Sequence, residues 1–303
     1  MVKPETDPFA GRIVVGMDGS AGALRAAEWA AQESKLRGRG VTLAYAVVPV
    51  VAGGAFGLGV PPRLDLIEDM RTSATAELTR IAADLDCTDV IVQVEVGTAS
   101  GLLLMASDTA ELIVLGSRGH GGFTGLLLGS VGTQVASHAS CPVVIMRDAP
   151  RTDAKVVVVG IDGSPHSLAA LEFAFNEASR HGWNLIAVHA WDVPSYDLIL
   201  SPDGPIPLPL ENVADEEVRL AAEVLAGFVE EYPDVAVSER LVRSPAVQAI
   251  LDNSTNAALI VLGTRGRNAL VGALLGSVSN GVLHKAKAPV AIIPLPEPDL
   301  DAA

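Results

Sequence analysis

Two stretches of this chain combine glycine, serine and arginine in a pattern suited to holding an anion. GSRGHGGFTGLLLGS, Gly116–Ser130, and GTRGRNALVGALLGS, Gly263–Ser277, share the spacing G-x2-G-x9-G-S. The pattern falls on Gly116, Gly119, Gly129 and Ser130, then on Gly263, Gly266, Gly276 and Ser277. Glycine lets a backbone approach a ligand closely and turn with positive φ. Successive N–H groups form an anion nest, and a helix entered after the loop adds free N–H donors. Ser130 and Ser277 suit the N-cap region, where a hydroxyl can also touch phosphate. Arg118 and Arg265 are candidates for phosphate contact, although arginines in such loops also simply solvate. Asp18 and Asp162, each in a DGS triplet, are either ligand contacts or helix caps, and Ser20 can cap in place of Asp18. Neither GxxxxGK[ST] nor an early GxGxxG is present, so the cradle would work without a lysine.

The elements that must position these residues occur twice. VVGMDGS at Val14–Ser20 recurs as VVGIDGS at Val158–Ser164, LIVLGSRG at Leu112–Gly119 as LIVLGTRG at Leu259–Gly266, and LLGSV at Leu127–Val131 as LLGSV at Leu274–Val278. Order and spacing are kept, with three extra residues in the second copy between its early and late motifs. The period is too long for a solenoid, so each copy is expected to be a domain: residues 1–150 and 151–303, with Ala149–Ala154 as linker. Within the first copy, apolar runs predict strands at Arg12–Met17, Val41–Val47, Val90–Val96, Glu111–Gly116 and Pro142–Arg147. Helical spacing predicts helices at Ala21–Arg37, Leu64–Leu85, Ala99–Thr109 and Ser130–Ala139. The second copy repeats the pattern and ends at Pro289–Pro294. Alternating strands and helices indicate an α/β fold: two tandem, doubly wound, five-stranded parallel sheets with helices on both faces. In a 3-2-1-4-5 strand order, the ligand crevice opens where the order reverses, beyond strands one and four. The two motif-bearing loops follow those strands.

These residues resemble the ATP-binding pattern of the universal stress protein family. The VVGMDGS opening, the LIVLGSRG segment and the closing strand at Pro142–Met146 match it as well, and the likeness, to the tandem-domain actinobacterial type, spans nearly the whole chain twice. The resemblance implies a stress-response regulatory protein that binds ATP in each copy. It places Asp18 and Asp162 near the adenosine end, and the backbone of Ala46 and Ala190 against adenine. It places the loops through Gly129, Ser130 and Val131, and through Gly276, Ser277 and Val278, on ribose and phosphates. Two departures are expected to alter the second site. Arg243 stands for Gly97, and Arg267, Asn268 and Ala269 stand for His120, Gly121 and Gly122. No activated nucleophile or positioned base emerges, so the chain is expected not to be an enzyme. The rival readings are a slow ATPase, an adenylyl-transferring or autophosphorylating enzyme, and a nucleotide-independent scaffold.

Composition bounds the rest. With 21 basic and 36 acidic residues and net charge −15, the chain lacks the basic face of a nucleic-acid binder or an anionic-membrane binder. The uncharged run from Val41 to Pro62 is broken by Pro49 and several glycines, so it reads as a strand and a loop rather than a membrane span. Two cysteines, Cys87 and Cys141, form no disulfide framework and fit a cytoplasmic setting. Cys141 reads as a small buried hydrophobe. No Cys/His cluster has zinc-ligand spacing, so Mg²⁺ is expected only through ATP phosphates. His138, His166, His181 and His284 read as helix-surface residues, and His189 as a core or pocket-wall residue. The closing strands, Val143–Arg147 and Val290–Pro294, are apolar and poor in charge, which favours pairing either between the copies or with a second chain. A symmetric homodimer is the expected assembly. Light scattering should therefore give twice the 31.3 kDa chain mass. A strictly monomeric mass across the micromolar range, with and without ATP, would rule it out.

Overall fold

The computed structural model describes residues 7–48, 64–119, 128–147, 153–191, 198–201, 204–207, 219, 223–266 and 275–295. It divides into two compact units, with the boundary along the chain between Asp148 and Ala149.

The first unit runs β1 (Ile13–Met17), α1 (Ala21–Arg37), β2 (Val41–Val47), α2 (Leu64–Asp84), β3 (Val90–Val96), α3 (Ala99–Ser107), β4 (Leu112–Gly116), α4 (Ser130–His138) and β5 (Val143–Met146). All four ladders are parallel, in the order β3-β2-β1-β4-β5. The central strands IVVGM and LIVLG are buried almost throughout, as strands covered on both faces must be. At the opposite end from the motif loops, Arg12 pins three strands. Its guanidinium donates to Asp89 Oδ1 at 2.8 Å, to the Val41 carbonyl at 3.0 Å and to Thr42 Oγ1 at 3.0 Å.

Helix α1 is held at both ends by its sequence. Ser20 caps the N-terminus by accepting from the Ala23 N–H, and Gly38 ends the helix at φ 64° with Lys35 and Arg37 in the last turn. The buried face consists largely of alanine: Ala23, Ala26, Ala27, Ala30 and Ala31. Small side chains let the helix lie close to the sheet, and Gly116 completes that approach. A Cβ on Gly116 would stand 2.7 Å from the Gly22 carbonyl carbon and 3.0 Å from the Ala23 nitrogen.

The second unit runs β6 (Val156–Ile161), α5 (Pro165–His181), β7 (Asn184–Trp191), β8 (Leu198–Ser201), β9 (Gly204–Pro207), α6 (223–231), β10 (Val237–Arg243), α7 (Ala246–Asn253), β11 (Leu259–Gly263), α8 (Ser277–Lys285) and β12 (Val290–Ile293). Its parallel order, β10-β7-β6-β11-β12, repeats that of the first unit. Ser164 and Gly182 cap α5 as Ser20 and Gly38 cap α1.

The duplication and the parallel sheets agree with the sequence reading, and the differences lie at element ends. Strands stop where the ladder stops, so Arg12, Glu111, Pro142 and Arg147 fall outside them. Helices α2, α3 and α4 end at Asp84, Ser107 and His138, one or two residues early. The antiparallel β8–β9 hairpin was not expected. Cys141 is buried, as read, and burial pushes its thiol up to about 12. Among the described residues no helix is long and apolar enough to cross a membrane.

The Gly116–Gly22 approach gives a direct test. A Gly116→Ala chain should lose about 1–3 kcal/mol, because the new methyl meets backbone that cannot move aside. Thermal unfolding should show a clear drop in midpoint; an unchanged midpoint would contradict the packing described.

Candidate functional site

The strand order reverses between β1 and β4, and a cavity of about 630 Å³ opens at their carboxyl ends. This size lies within the range of small-molecule pockets. Asp18 follows β1 and turns the chain on itself: its Oδ1 accepts the Ser20 N–H at 3.0 Å, with Gly19 at φ 80°. Its Oδ2 lies against Gly119, where any Cβ would collide with it. Ser20 also donates to the Arg118 carbonyl at 3.4 Å, tying the β1 loop to the β4 loop. One wall of the cavity is apolar, formed by Ala44, Ala99, Leu102, Leu103, Leu115 and Leu128.

The start of α4 forms the polar wall. Gly129 is the N-cap; it has φ −76° and ψ 160° and no side chain with which to cap. Its own N–H donates to the Ser117 carbonyl at 2.9 Å. The first-turn N–H groups of Ser130, Val131 and Gly132 have no acceptor among the described residues, and these residues line the cavity. Helices α1 and α3, by contrast, are capped by Ser20 and Thr98. A bare helix start presents free donors and the positive end of the helix dipole to whatever occupies the cleft.

Strand β2 completes the frame. Its last pairing with β1 is Met17–Tyr45, and it runs on through Ala46 and Val47. The Ala46 backbone therefore has no ladder partner on the β1 side and faces the cavity it lines.

The second unit repeats these parts. Asp162 Oδ1 accepts the Ser164 N–H at 2.9 Å, and its Oδ2 lies against Gly266. Gly276 caps α8 without a side-chain bond, and its N–H donates to the Thr264 carbonyl at 2.7 Å. Ser277 and Val278 open α8. Strand β7 runs past its last pairing with β6, Ile161–His189, through Ala190 and Trp191. Arg118 and Arg265 are both exposed in the loops after β4 and β11.

Sequence comparison agrees with this doubled plan. The sequence profile of the Universal stress protein family matches residues 10–147 and again 154–294. A universal stress protein of Mycolicibacterium smegmatis is 36% identical over 292 residues, covering 93% of this chain and 96% of the relative. One from Mycobacterium tuberculosis is 38% identical over 290 residues, covering 92% and 96%. The chain belongs to the universal stress protein family. A crystal structure of a universal stress protein from Archaeoglobus fulgidus shares the fold, with TM-score 0.67, 22% identity and coverage of 95% of this chain and 97% of that one.

In this universal stress protein, the first unit gathers Asp18, Ala46, Gly116, Arg118, Gly119, Gly129, Ser130 and Val131 around one cavity. The second unit places Asp162, Ala190, Gly263, Arg265, Gly266, Gly276, Ser277 and Val278 at the matching positions of its own fold. Four points of the sequence reading need correction. The N-caps are Gly129 and Gly276, with Ser130 and Ser277 one residue inside the helix. Gly116 and Gly263, read only as ligand glycines, are also required by helix packing: a Cβ on Gly263 would stand 2.6 Å from the His166 carbonyl oxygen. Arg243 does not replace Gly97. Arg243 pairs with Trp191 as Val96 pairs with Val47, and the Ser244 N–H donates to the Trp191 carbonyl as the Gly97 N–H does to Val47. His166 is not a free surface side chain, because its Nε2 is enclosed. His189 is buried, as read, with Nδ1 2.9 Å from the Ile161 carbonyl. The exchange of His120, Gly121 and Gly122 for Arg267, Asn268 and Ala269 lies outside the described residues. The apolar wall from α3 was missed, because leucines at helical spacing read only as core.

Capping and site roles separate by mutation. Ser20→Ala should cost roughly 1 kcal/mol through loss of the α1 cap, and Ser130→Ala should leave stability nearly unchanged. Equal losses in chemical unfolding would contradict the capping assignment.

Proposed function

We propose that each unit binds ATP in its cleft, and that occupancy acts as a regulatory signal rather than as a step in rapid turnover. The observation that carries this reading is the uncapped start of α4 at the cavity, repeated at α8. Phosphates would take the N–H groups of Ser130 and Val131, or of Ser277 and Val278, with the help of the helix dipole. Arg118 and Arg265 would meet them from the open side. Adenine would lie against the apolar wall, where the backbone of Ala46 or Ala190 offers an unpaired edge. Asp18 and Asp162, already oriented by their turns, would face the ribose. Mg²⁺, held by the phosphates and water, would neutralise charge there. Regulation by occupancy and a cytoplasmic setting complete the proposal.

Gly129→Ala and Gly276→Ala test it. Alanine would be strained wherever glycine holds a left-handed backbone. The backbone is extended at both positions, so that strain is absent. At Gly129 the nearest atom to a new Cβ is 3.8 Å away. At Gly276 the Thr264 carbonyl oxygen would stand 3.3 Å from the new Cβ, so the backbone there must give slightly. The gain of about 0.4–1 kcal/mol from a stiffer unfolded chain opposes a poorer cap, so stability should barely change for Gly129→Ala and fall somewhat for Gly276→Ala. Equilibrium dialysis should count two ATP per chain for the parent, one for either variant and none for the double variant. A parent that binds none while folded, or a double variant that still binds two, would overturn the reading.

Chelation offers a second check. Removing Mg²⁺ should weaken ATP binding without lowering the unfolding temperature of nucleotide-free protein. A large loss of thermal stability would contradict a metal held through phosphate.

A further inference from the structure

Two serines of the second unit stand where the first unit has no hydroxyl. Ala23 and Gly132 line the first cavity. Their counterparts, counted from the shared DGS and LLGSV motifs, are Ser167 and Ser279. Both serines are buried, and each bonds to backbone beside the crevice. Ser167 Oγ accepts the Asp162 N–H at 3.3 Å, just past β6, and donates to the Ser164 carbonyl at 3.0 Å. Ser279 Oγ donates to the Gly263 carbonyl at 2.6 Å, at the end of β11. The strands also part earlier here. The β6–β11 ladder stops at Val159–Val261, whereas the β1–β4 ladder runs one pair further, to Gly16–Leu115. A hydroxyl therefore holds the backbone on each side of a crevice that opens deeper.

The Ser279 bond bears on the anion donors. Ser279 lies in the first turn of α8 with Ser277 and Val278. The Gly276 N–H ties the cap to the Thr264 carbonyl at 2.7 Å, and Ser279 ties the turn to the adjoining Gly263. The start of α8 is thus fixed to the end of β11 at two points. In α4 the Gly129 N–H makes the first tie, to Ser117, and Gly132 has no side chain to make the second. Glycine also leaves the backbone of that turn freer. Donors that are fixed before a ligand arrives cost less to order when it binds.

We infer that Ser279 is a positioning residue of the second cleft. Its hydroxyl holds the Ser277 and Val278 N–H groups where phosphate binds, so this cleft separates a phosphorylated from an unphosphorylated nucleoside more sharply than the first does. The inference rests on the nucleotide reading above and adds a residue and a difference between the sites. Ser279 acts through the turn, because its hydroxyl proton is committed to Gly263. Loss of that hydroxyl should therefore fall on phosphate, which the turn would hold, and spare adenosine, which the apolar wall and β7 would hold.

The experiment uses the full chain. The amide signals of Val131 and Val278 in ¹H–¹⁵N spectra report the two clefts separately during titration with ATP and Mg²⁺ or with adenosine. In the parent, the ratio of ATP to adenosine affinity should be greater at Val278 than at Val131. Ser279→Ala and Ser279→Gly should weaken ATP at Val278 by about fivefold or more, the worth of one hydrogen bond. ATP at Val131 and adenosine at both positions should keep their parent affinities. Ser279→Thr, which retains the hydroxyl, should bind ATP as the parent does. An ATP affinity at Val278 that does not move in a folded Ala or Gly variant overturns the proposal alone. So does an equal weakening of ATP and adenosine, or a parent ratio no greater at Val278. No ATP bound by the folded parent overturns the nucleotide reading as well.

Discussion

Helix α4 begins on a glycine, and much of the site depends on that one choice. Serine, threonine or aspartate at this position would bend back onto the first-turn N–H groups and satisfy them. Gly129 cannot, so the donors of Ser130, Val131 and Gly132 remain directed at the cavity. The arrangement resolves an apparent conflict in a chain of net charge −15. An anion is offered fixed dipoles at close range, so no basic surface is needed. Gly276 makes the same choice for α8.

For those donors to matter, the helix start must stand at the right place beside β1. The strand order brings β1 and β4 together, and the cap N–H is held by the Ser117 carbonyl just beyond β4. The close seat of α1, built from alanines and Gly116, brings the Asp18–Ser20 turn against the same loop. Ser20 then serves both sides, capping α1 and donating to Arg118. The long reach of β2 past β1 sets the far wall. In the second unit the cap of α5 by Ser164 and the bond from the Gly276 N–H to the Thr264 carbonyl recur.

Much of this was legible in the residues. The repeated motifs gave the two units, and apolar runs such as LIVLG gave buried parallel strands. Ser20 was recognisable as a cap for α1, while Asp18 stayed open between cap and ligand contact. Other features depend on distances that a pattern does not carry. G-x2-G-x9-G-S looks like a set of ligand glycines, yet Gly116 and Gly263 answer to a helix packed across them. Ser130 resembles a cap because serine usually is one, and only the backbone angles move the cap to Gly129. Gly97 was matched to Arg243 without a register to fix the alignment, and the ladder to Trp191 shows that Ser244 is its counterpart. His166 reads as a helix-surface residue from its position, whereas its Nε2 is enclosed in the fold.

The central claim is that the first turns of α4 and α8 are anion donors kept free by glycine caps. Amide hydrogen exchange with single-residue resolution measures this directly. In nucleotide-free protein the amides of Ser130, Val131, Ser277 and Val278 should exchange quickly, because no internal acceptor protects them. With saturating ATP and Mg²⁺ all four should slow by at least tenfold, while the already capped Ala23 and Ser167 amides change little. ATP that binds without protecting any of the four would contradict the account.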